Sequence, residues 1–382
     1  MAQPLRSPGV SLCPRQSGRP SERACAPAAA EPERPATKPD TKGSAPMKAF
    51  SWLDFAIVTE GQGYAEALGA TLKMAQSAER FGYRRFWLAE HHSMRAIASS
   101  ATAVALAAVG ACTSTIRIGA GGVMLPNHAP LLIAEQFGTL EALYPKRVDL
   151  GLGRAPGTDP LTARALRRND LAESADNYPS ELAELMDYLR VNPSQGRIVA
   201  SPGVGSRVPI WLLGSGLFSA RFAARMGLPF AFASHFAPRM IGEALDVYRE
   251  EFRPSEYLGK PYVMAGANVI AAPTDEAARL LFSSQRLSVL ALVRGRNDLI
   301  QPPNPDLERD MSRQEKAAVD GSLLYSFVGT KETVAQQAKE FVDKFKLDEI
   351  LCHSRIFDLE ARLESLRLGA EALRSIRNAD SK

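Results

Sequence analysis

Three apolar runs between residues 86 and 154 each end in a cluster of unusual chemistry, and each is followed by a helical pattern. The clusters read Ala89-Glu90-His91-His92, Gly119-Ala120-Gly121-Gly122-Val123-Met124-Leu125-Pro126 and Gly151-Leu152-Gly153-Arg154. Polar and glycine residues gathered at the carboxyl ends of successive parallel strands are where a (β/α) barrel carries its site. The segment thus restricts the chain to an α/β fold and also indicates where its function lies.

From Met47 onward, strand-like runs alternate with amphipathic stretches, the pattern of βαβ units and a parallel sheet. The runs are residues 50–58, 85–89, 116–123, 148–151, 209–213, 230–234, 263–271 and 349–353. Helical spacing fills the gaps, as in Leu68, Leu72, Ala75, Ala78 and Phe81, or Leu182, Leu185, Met186 and Leu189. Eight repeats predict a closed (β/α)8 TIM barrel with insertions. A doubly wound sheet is the alternative, but its Gly-x-Gly-x-x-Gly fingerprint is missing: the first run is followed by Glu60-Gly61-Gln62-Gly63-Tyr64-Ala65-Glu66. Residues 192–206 and 294–321 fall outside the repeat. Loops of that length are usually functional or mobile, and the second is expected to cover the barrel mouth.

The chain has 382 residues, 45% hydrophobic and 23% charged, an ordinary composition that suffices for one large barrel. Its net charge of +4, with no basic block interleaved with aromatics, argues against a nucleic-acid groove. No apolar run reaches the roughly 18 residues that span a bilayer, so no membrane association is expected. Cys13, Cys25, Cys112 and Cys352 show neither metal-ligand spacing nor a disulfide framework, which fits a cytoplasmic location. Residues 1–46 contain nine prolines (Pro4, Pro8, Pro14, Pro20, Pro27, Pro32, Pro35, Pro39, Pro46) and almost no large apolar side chain. Such a segment cannot offset its ordering entropy, so it is expected to be a disordered extension before a barrel domain at 47–382. A transit peptide is the alternative, weakened by the prolines and by Glu22, Glu31 and Glu33.

Each cluster also has a plainer explanation. Adjacent His91 and His92 point to opposite faces of an extended chain, so one can enter the barrel mouth while the other packs or is solvated. As metal ligands they lack a third His or Cys at close spacing, and no metal is expected. The glycines at 119, 121 and 122 either admit a ligand or mark a bulge, and spacing alone leaves both open. Arg154 suits a phosphate or carboxylate, or is a surface arginine. Trp211-Leu212-Leu213-Gly214-Ser215-Gly216 ends just before a helix containing Ser219, whose free N–H groups favour a phosphate. No Gly-x-Ser-x-Gly elbow is present, and no carboxylate pair is singled out. Glycine, histidine, arginine and apolar walls together describe a cofactor site.

These residues carry a resemblance. The chain resembles the luciferase-like monooxygenase family, most strongly over residues 86–168, through Ala89-Glu90-His91-His92, the stretch from Ile116 to His128, Ala134-Glu135-Gln136-Phe137-Gly138-Thr139-Leu140 and Asp149-Leu150-Gly151-Leu152-Gly153-Arg154-Ala155-Pro156-Gly157. Coverage extends from about Met47 to about Leu373. The resemblance implies a (β/α)8 barrel in which reduced FMN and O2 oxygenate a small organic substrate, with a separate flavin reductase as supplier. It implies His91 as the catalytic histidine, a non-proline cis peptide at Gly121-Gly122 beneath the flavin ring, and Arg154, Ser215 and Ser219 at the FMN phosphate. Glu90 and Gly214 complete the cofactor-binding set. Relatives near luciferase carry cysteine where this chain has Gly153, so thiol-dependent behaviour does not transfer. A deazaflavin-dependent oxidoreductase and a non-catalytic flavin-binding protein are the alternatives. Substrate-pocket walls are expected from loops that include 294–321. Residues 99–111 and 130–143, apolar nearly all round, predict a homodimer interface of the kind this family uses.

Overall fold

The computed structural model describes residues 47–155, 157–167, 171–191 and 198–379. The proline-rich extension at 1–46 and the start of the 192–206 segment lie outside them. Parallel strands β1 (Ala49–Asp54), β2 (Arg85–Leu88), β3 (Arg117–Met124), β4 (Val148–Gly153), β5 (Ile210–Gly214), β6 (Phe230–Phe232) and β7 (Val263–Ala271) pair in sequence order. A short β8 (Ser326–Gly329) and then β9 (Glu349–His353) follow, and β9 bridges β7 to β1 to close an eight-stranded barrel.

Helices occupy the connections: α1 (Tyr64–Arg80), α2 (Thr102–Ala111), α3 (Pro130–Leu143), α4 (Pro160–Arg167), α5 (Leu171–Tyr188), α6 (Leu217–Met226), α7 (Ile241–Glu250), α8 (Asp275–Val293), α9 (Arg313–Ser322), α10 (Lys331–Phe345) and α11 (Leu359–Ala379). The (β/α)8 architecture expected from the alternation is therefore the one observed.

Strand periodicity divides the core in two. Phe50, Trp52, Phe86, Leu88, Ile118, Leu150 and Ile350 point outward into the layer between sheet and helices. Their neighbours fill the barrel in levels: Ser51, Arg85, Asp149 and Glu349 at the amino end, then Leu53, Trp87, Trp211, Met264 and Leu351. Above these come Phe55, Ala89, His235 and His353, where the interior opens into cavities. The lowest level is ionic. Arg85 Nη1 donates to Asp149 at 2.7 Å and Nε to Glu349 at 3.0 Å, while the Tyr262 hydroxyl donates to Glu349 at 2.8 Å.

Three expectations need correction. The first strand ends at Asp54, not at residue 58, because Asp54 Oδ1 accepts the Ala56 N–H at 2.7 Å and Ala56 turns to φ 46°. That turn sends Phe55 over the barrel mouth. The strand β8 was not anticipated, since Ser326-Phe327-Val328-Gly329 is too short to read as an apolar run. It pairs with Asn268–Ala271 while β9 pairs with Met264–Asn268, so it covers the edge by which β7 outruns β9. Residues 294–321 are not one loop: Ser312 opens α9 with a capping box. There Leu307, Val319 and Leu323 pack with Leu290 of α8. The charged sequence Arg313-Gln314-Glu315-Lys316 hides that helix, in which Val319 is the buried residue.

Candidate active site

The carboxyl ends of β1 to β6 surround a cavity of about 340 Å³. One end is apolar, formed by Leu53, Phe55, Leu213, Ala231 and Leu351, with Gly121 and Gly122 beside them. The Gly121-Gly122 peptide is cis, as the resemblance implied, and lies where the β3–β4 register shifts between Ala120 and Val123. A Cβ on Gly122 would stand 2.7 Å from the Gly151 carbonyl oxygen, so this approach of β3 to β4 needs glycine. The other end is polar, formed by Arg154, Ser215, Gly216 and Ser219. Gly216 caps α6 without any side-chain hydrogen bond, which leaves first-turn N–H groups free for an anion. Arg154 is exposed, with its guanidinium 4.1 Å from the Phe218 ring centroid, and no carboxylate pairs with it among the described residues.

His91 stands at the side of this cavity, stacked on Phe55 at 5.6 Å between centroids and 8° between planes. Its Nδ1 lies 3.1 Å from the Gly157 carbonyl oxygen. A carbonyl only accepts, so Nδ1 carries the proton and Nε2 keeps a lone pair in the neutral ring. Burial lowers the His91 pKa, and Arg355 and His92 push the same way against the Gly157 bond. Gly157 can present its carbonyl because φ is 61° there, where a Cβ would also press on Met124 at 3.0 Å. The turn after β2 is pinned by Ser99 Oγ donating to Ala89 O at 2.6 Å and Ser100 Oγ donating to His91 O at 2.8 Å.

Glu90 is buried and does not line the cavity. Its Oε1 accepts from His92 Nε2 at 2.9 Å and from His128 Nε2 at 2.8 Å, and its Oε2 from the Met124 N–H at 3.3 Å. Burial opposes ionisation of Glu90, but the hydrogen bonds from His128 and His92 outweigh it and lower the pKa. No third His or Cys lies close to His92 in the chain, yet the turn Leu125–Asn127 returns His128 to the same carboxylate. Glu90, His92 and His128 thus hold three ligand-type atoms within 4.8 Å of one another. Both Nε2 atoms are donors to the carboxylate here, and this fastens β3 to the end of β2.

A second cavity of about 400 Å³ lies alongside and shares Phe55, His91, His235 and Phe236 with the first. Val289, Leu292 and Val293 of α8 and Leu323 wall it, together with Asn268, Gln285, His353 and Arg355. None of residues 294–321 is among its lining residues; the end of α8 supplies that side of it. The residues missed in the sequence, His235, His353 and Arg355, each end or follow a strand, so the rule that picked out His91 reaches them as well. Burial lowers the His235 pKa to about 3, helped by Arg355 and His91, and holds His353 well below its ordinary value. A larger cleft of about 570 Å³, lined by Met186, Arg190, Arg207, Pro209, Glu256 and Tyr257, lies at the opposite end of β5 and has no histidine among its lining residues.

Residues 47–345 match the family model described as luciferase-like monooxygenase. The chain belongs to this family. A luciferase-like monooxygenase of Escherichia coli K12 is 46% identical over 323 residues, covering 85% of this chain and 96% of its own length. The N-acetyl-S-alkylcysteine monooxygenase of Bacillus subtilis is 31% identical over 336 residues, 86% of this chain and 98% of that protein. Among solved structures, apo-MsnO8 superposes with a TM-score of 0.80 at 35% identity, over 86% of this chain and 98% of that one.

Proposed function

We propose that this protein is a flavin-dependent monooxygenase that uses reduced FMN and O2 to oxygenate a small organic substrate. The observation that carries the reading is the first cavity's polarity: an apolar end bordered by glycine backbone, and a polar end where Arg154, with no carboxylate partner among the described residues, meets the open start of α6. A flat ring with an anionic tail fits that arrangement. Arg154, Ser215 and Ser219 would hold the phosphate, and Gly121, Gly122 and Gly214 would line the ring. Glu90 serves from behind, orienting the strand ends through His92 and His128. When bound, the reduced flavin supplies the electrons for activating O2, one atom of which goes to the substrate and the other to water.

Apolar side chains around the ring exclude water from this step. His91 takes and returns a proton at Nε2, its ring held in place by the Gly157 carbonyl and the face of Phe55. We further assign a separate flavin reductase as supplier, because the segment after β1 lacks a nicotinamide fingerprint. A cytoplasmic homodimer joined through α2 and α3 completes the reading; Cys112 and Cys352 are free thiols, and no described helix is long and apolar enough to cross a membrane.

Native mass spectrometry of the purified chain tests the cofactor. Retention or uptake of FMN supports the reading, whereas selective uptake of a deazaflavin overturns it in favour of hydride transfer without oxygen. His91→Ala tests the chemistry. It should bind FMN nearly as the parent does while losing about 100-fold or more in oxygenated product per flavin oxidised; undiminished product would remove His91 from the mechanism.

A further inference from the structure

The second cavity contains a charge that no carboxylate among the described residues answers. Arg355 follows β9 and lines this cavity, its guanidinium 5.3 Å from the Phe55 ring centroid. No Asp or Glu is among the lining residues, and among the described residues no ion pair or side-chain hydrogen bond holds the guanidinium. Arg355 is half-buried, and the fully buried arginines are treated differently: Arg85 binds two carboxylates and Arg362 binds Asp54. Burial lowers the Arg355 pKa to about 10, so it remains a cation at neutral pH. It stands without a carboxylate at the mouth of the site described above.

The polar groups around it divide into used and unused. Gln285 donates to Asn268 Oδ1 at 2.6 Å and accepts the Arg355 backbone N–H at 3.1 Å, while Asn268 Nδ2 donates to the His235 carbonyl at 2.9 Å. His235 is only 7% exposed, yet neither of its ring nitrogens has a partner. Its neighbours His91 and His353 are kept neutral by burial, so no second cation competes for a ligand. Apart from Ser322, the remaining wall is apolar, through Phe55, Phe236 and the aliphatic side chains of α8 and Leu323. One fork of guanidinium donors beside these apolar side chains matches a carboxylate attached to an apolar body.

We propose that the second cavity is the substrate site and selects organic carboxylates: Arg355 binds the carboxylate, and the apolar body lies along the wall shared with His91. This rests on the oxygenase reading for what happens to the ligand, but not for its binding. The carboxylate is an anchor and does not react; oxidation falls on the body of the molecule, with reduced flavin and O2 as co-reactants.

Isothermal titration of the full chain with hexanoate and with hexanamide, without flavin and then with FMN, tests the anchor. The acid should bind at least about tenfold more tightly than the amide, the smallest effect expected of a hydrogen-bonded charge pair. Arg355→Lys should keep part of that preference and Arg355→Met should abolish it. Equal binding of acid and amide by the parent protein, no binding of hexanoate at millimolar concentration, or a preference that survives in Arg355→Met each overturns the proposal. FMN affinity, set by the first cavity, reports whether each variant is folded; Arg355→Gln takes the place of Arg355→Met if the latter is not. Because the first titration contains no flavin, failure of FMN to bind would overturn the oxygenase reading while leaving the acid preference measured, and the reverse also holds.

Discussion

At the amino end of the barrel, Arg85 is clasped by Asp149 and Glu349, and Arg117 adds a second contact to Asp149 at 2.6 Å. At the carboxyl end, Arg154 and Arg355 line cavities without a carboxylate, beside His235 whose ring nitrogens are idle. The two ends hold the same kinds of groups in one sheet, and the consequences show in their protonation. Despite burial, the carboxylates raise the Arg85 pKa, whereas burial with nothing to offset it lowers that of Arg355. A closed ionic network is complete without a ligand and serves the fold. An open set of cations and neutral imidazoles is complete only when something binds.

The widest test of this contrast removes one arginine from each end. Arg85→Met strands buried Glu349 without its cation, so urea denaturation should show a loss of about 3–5 kcal/mol. Arg355→Met strands no carboxylate and gives up only its contact with Phe55, so stability should move by less than about 1 kcal/mol. Similar losses in both variants would erase the distinction between the ends.

A smaller effect sharpens the reading of the carboxyl end alone. Arg154→Ala should weaken FMN binding by about 2 kcal/mol, roughly the worth of a charge-assisted pair. Riboflavin, which lacks the phosphate, should bind parent and variant alike in the same fluorescence titration. A matching loss for riboflavin would make Arg154 a structural residue.

The neutral histidines give the contrast a pH signature. In the unfolded chain His235 and His353 titrate near 6.5, while their folded pKa values are depressed, to about 3 for His235. Below the unfolded value the unfolded state therefore binds more protons, and stability is lost as pH falls from about 6.5 toward the folded values. The slope is up to about 1.4 kcal/mol per pH unit for each histidine. Thermal midpoints should be flat from pH 8 to 7 and drop below about 6.5, and His235→Phe should reduce the drop. A profile unchanged by that substitution would show that His235 is not a source of it.

Much of this was legible in the sequence because strand period and strand-end chemistry are local. The apolar runs located the strands, and the clusters after β2, β3 and β5 brought His91, Gly121, Gly122, Gly214 and Ser215 to one cavity. What escaped depended on contacts distant in sequence. The Asp54 carboxylate that turns the chain after β1 is held by Thr71 and Arg362, which no window around residue 54 contains. His128 reaches Glu90 only after a turn reverses the chain, and β8 is a strand only because β7 extends past β9. Arg355 was not singled out, since its lack of a carboxylate partner is a property of the folded cavity.

The smallest expected effect concerns the outer surface, where apolar exposure rather than charge is the open question. Helices α2 and α3 read as apolar around most of their circumference, which predicted either a twofold interface or cover by the chain's own loops. Val104 is 74% exposed, with Leu132 at 46% and Leu143 at 59%, so among the described residues nothing covers them. The inward faces are already satisfied by Leu106, Val109, Ile133 and Phe137 in the core. Val104→Glu and Ala108→Glu should therefore change folding stability by less than about 0.5 kcal/mol, as surface substitutions do. In a homodimer they would instead place like charges opposite each other across the twofold axis. Sedimentation at micromolar concentration should give a dimer for the parent and a monomer for the double variant. A parent that sediments as a monomer would leave this apolar surface without a partner of its own kind and would remove the homodimer from the proposal.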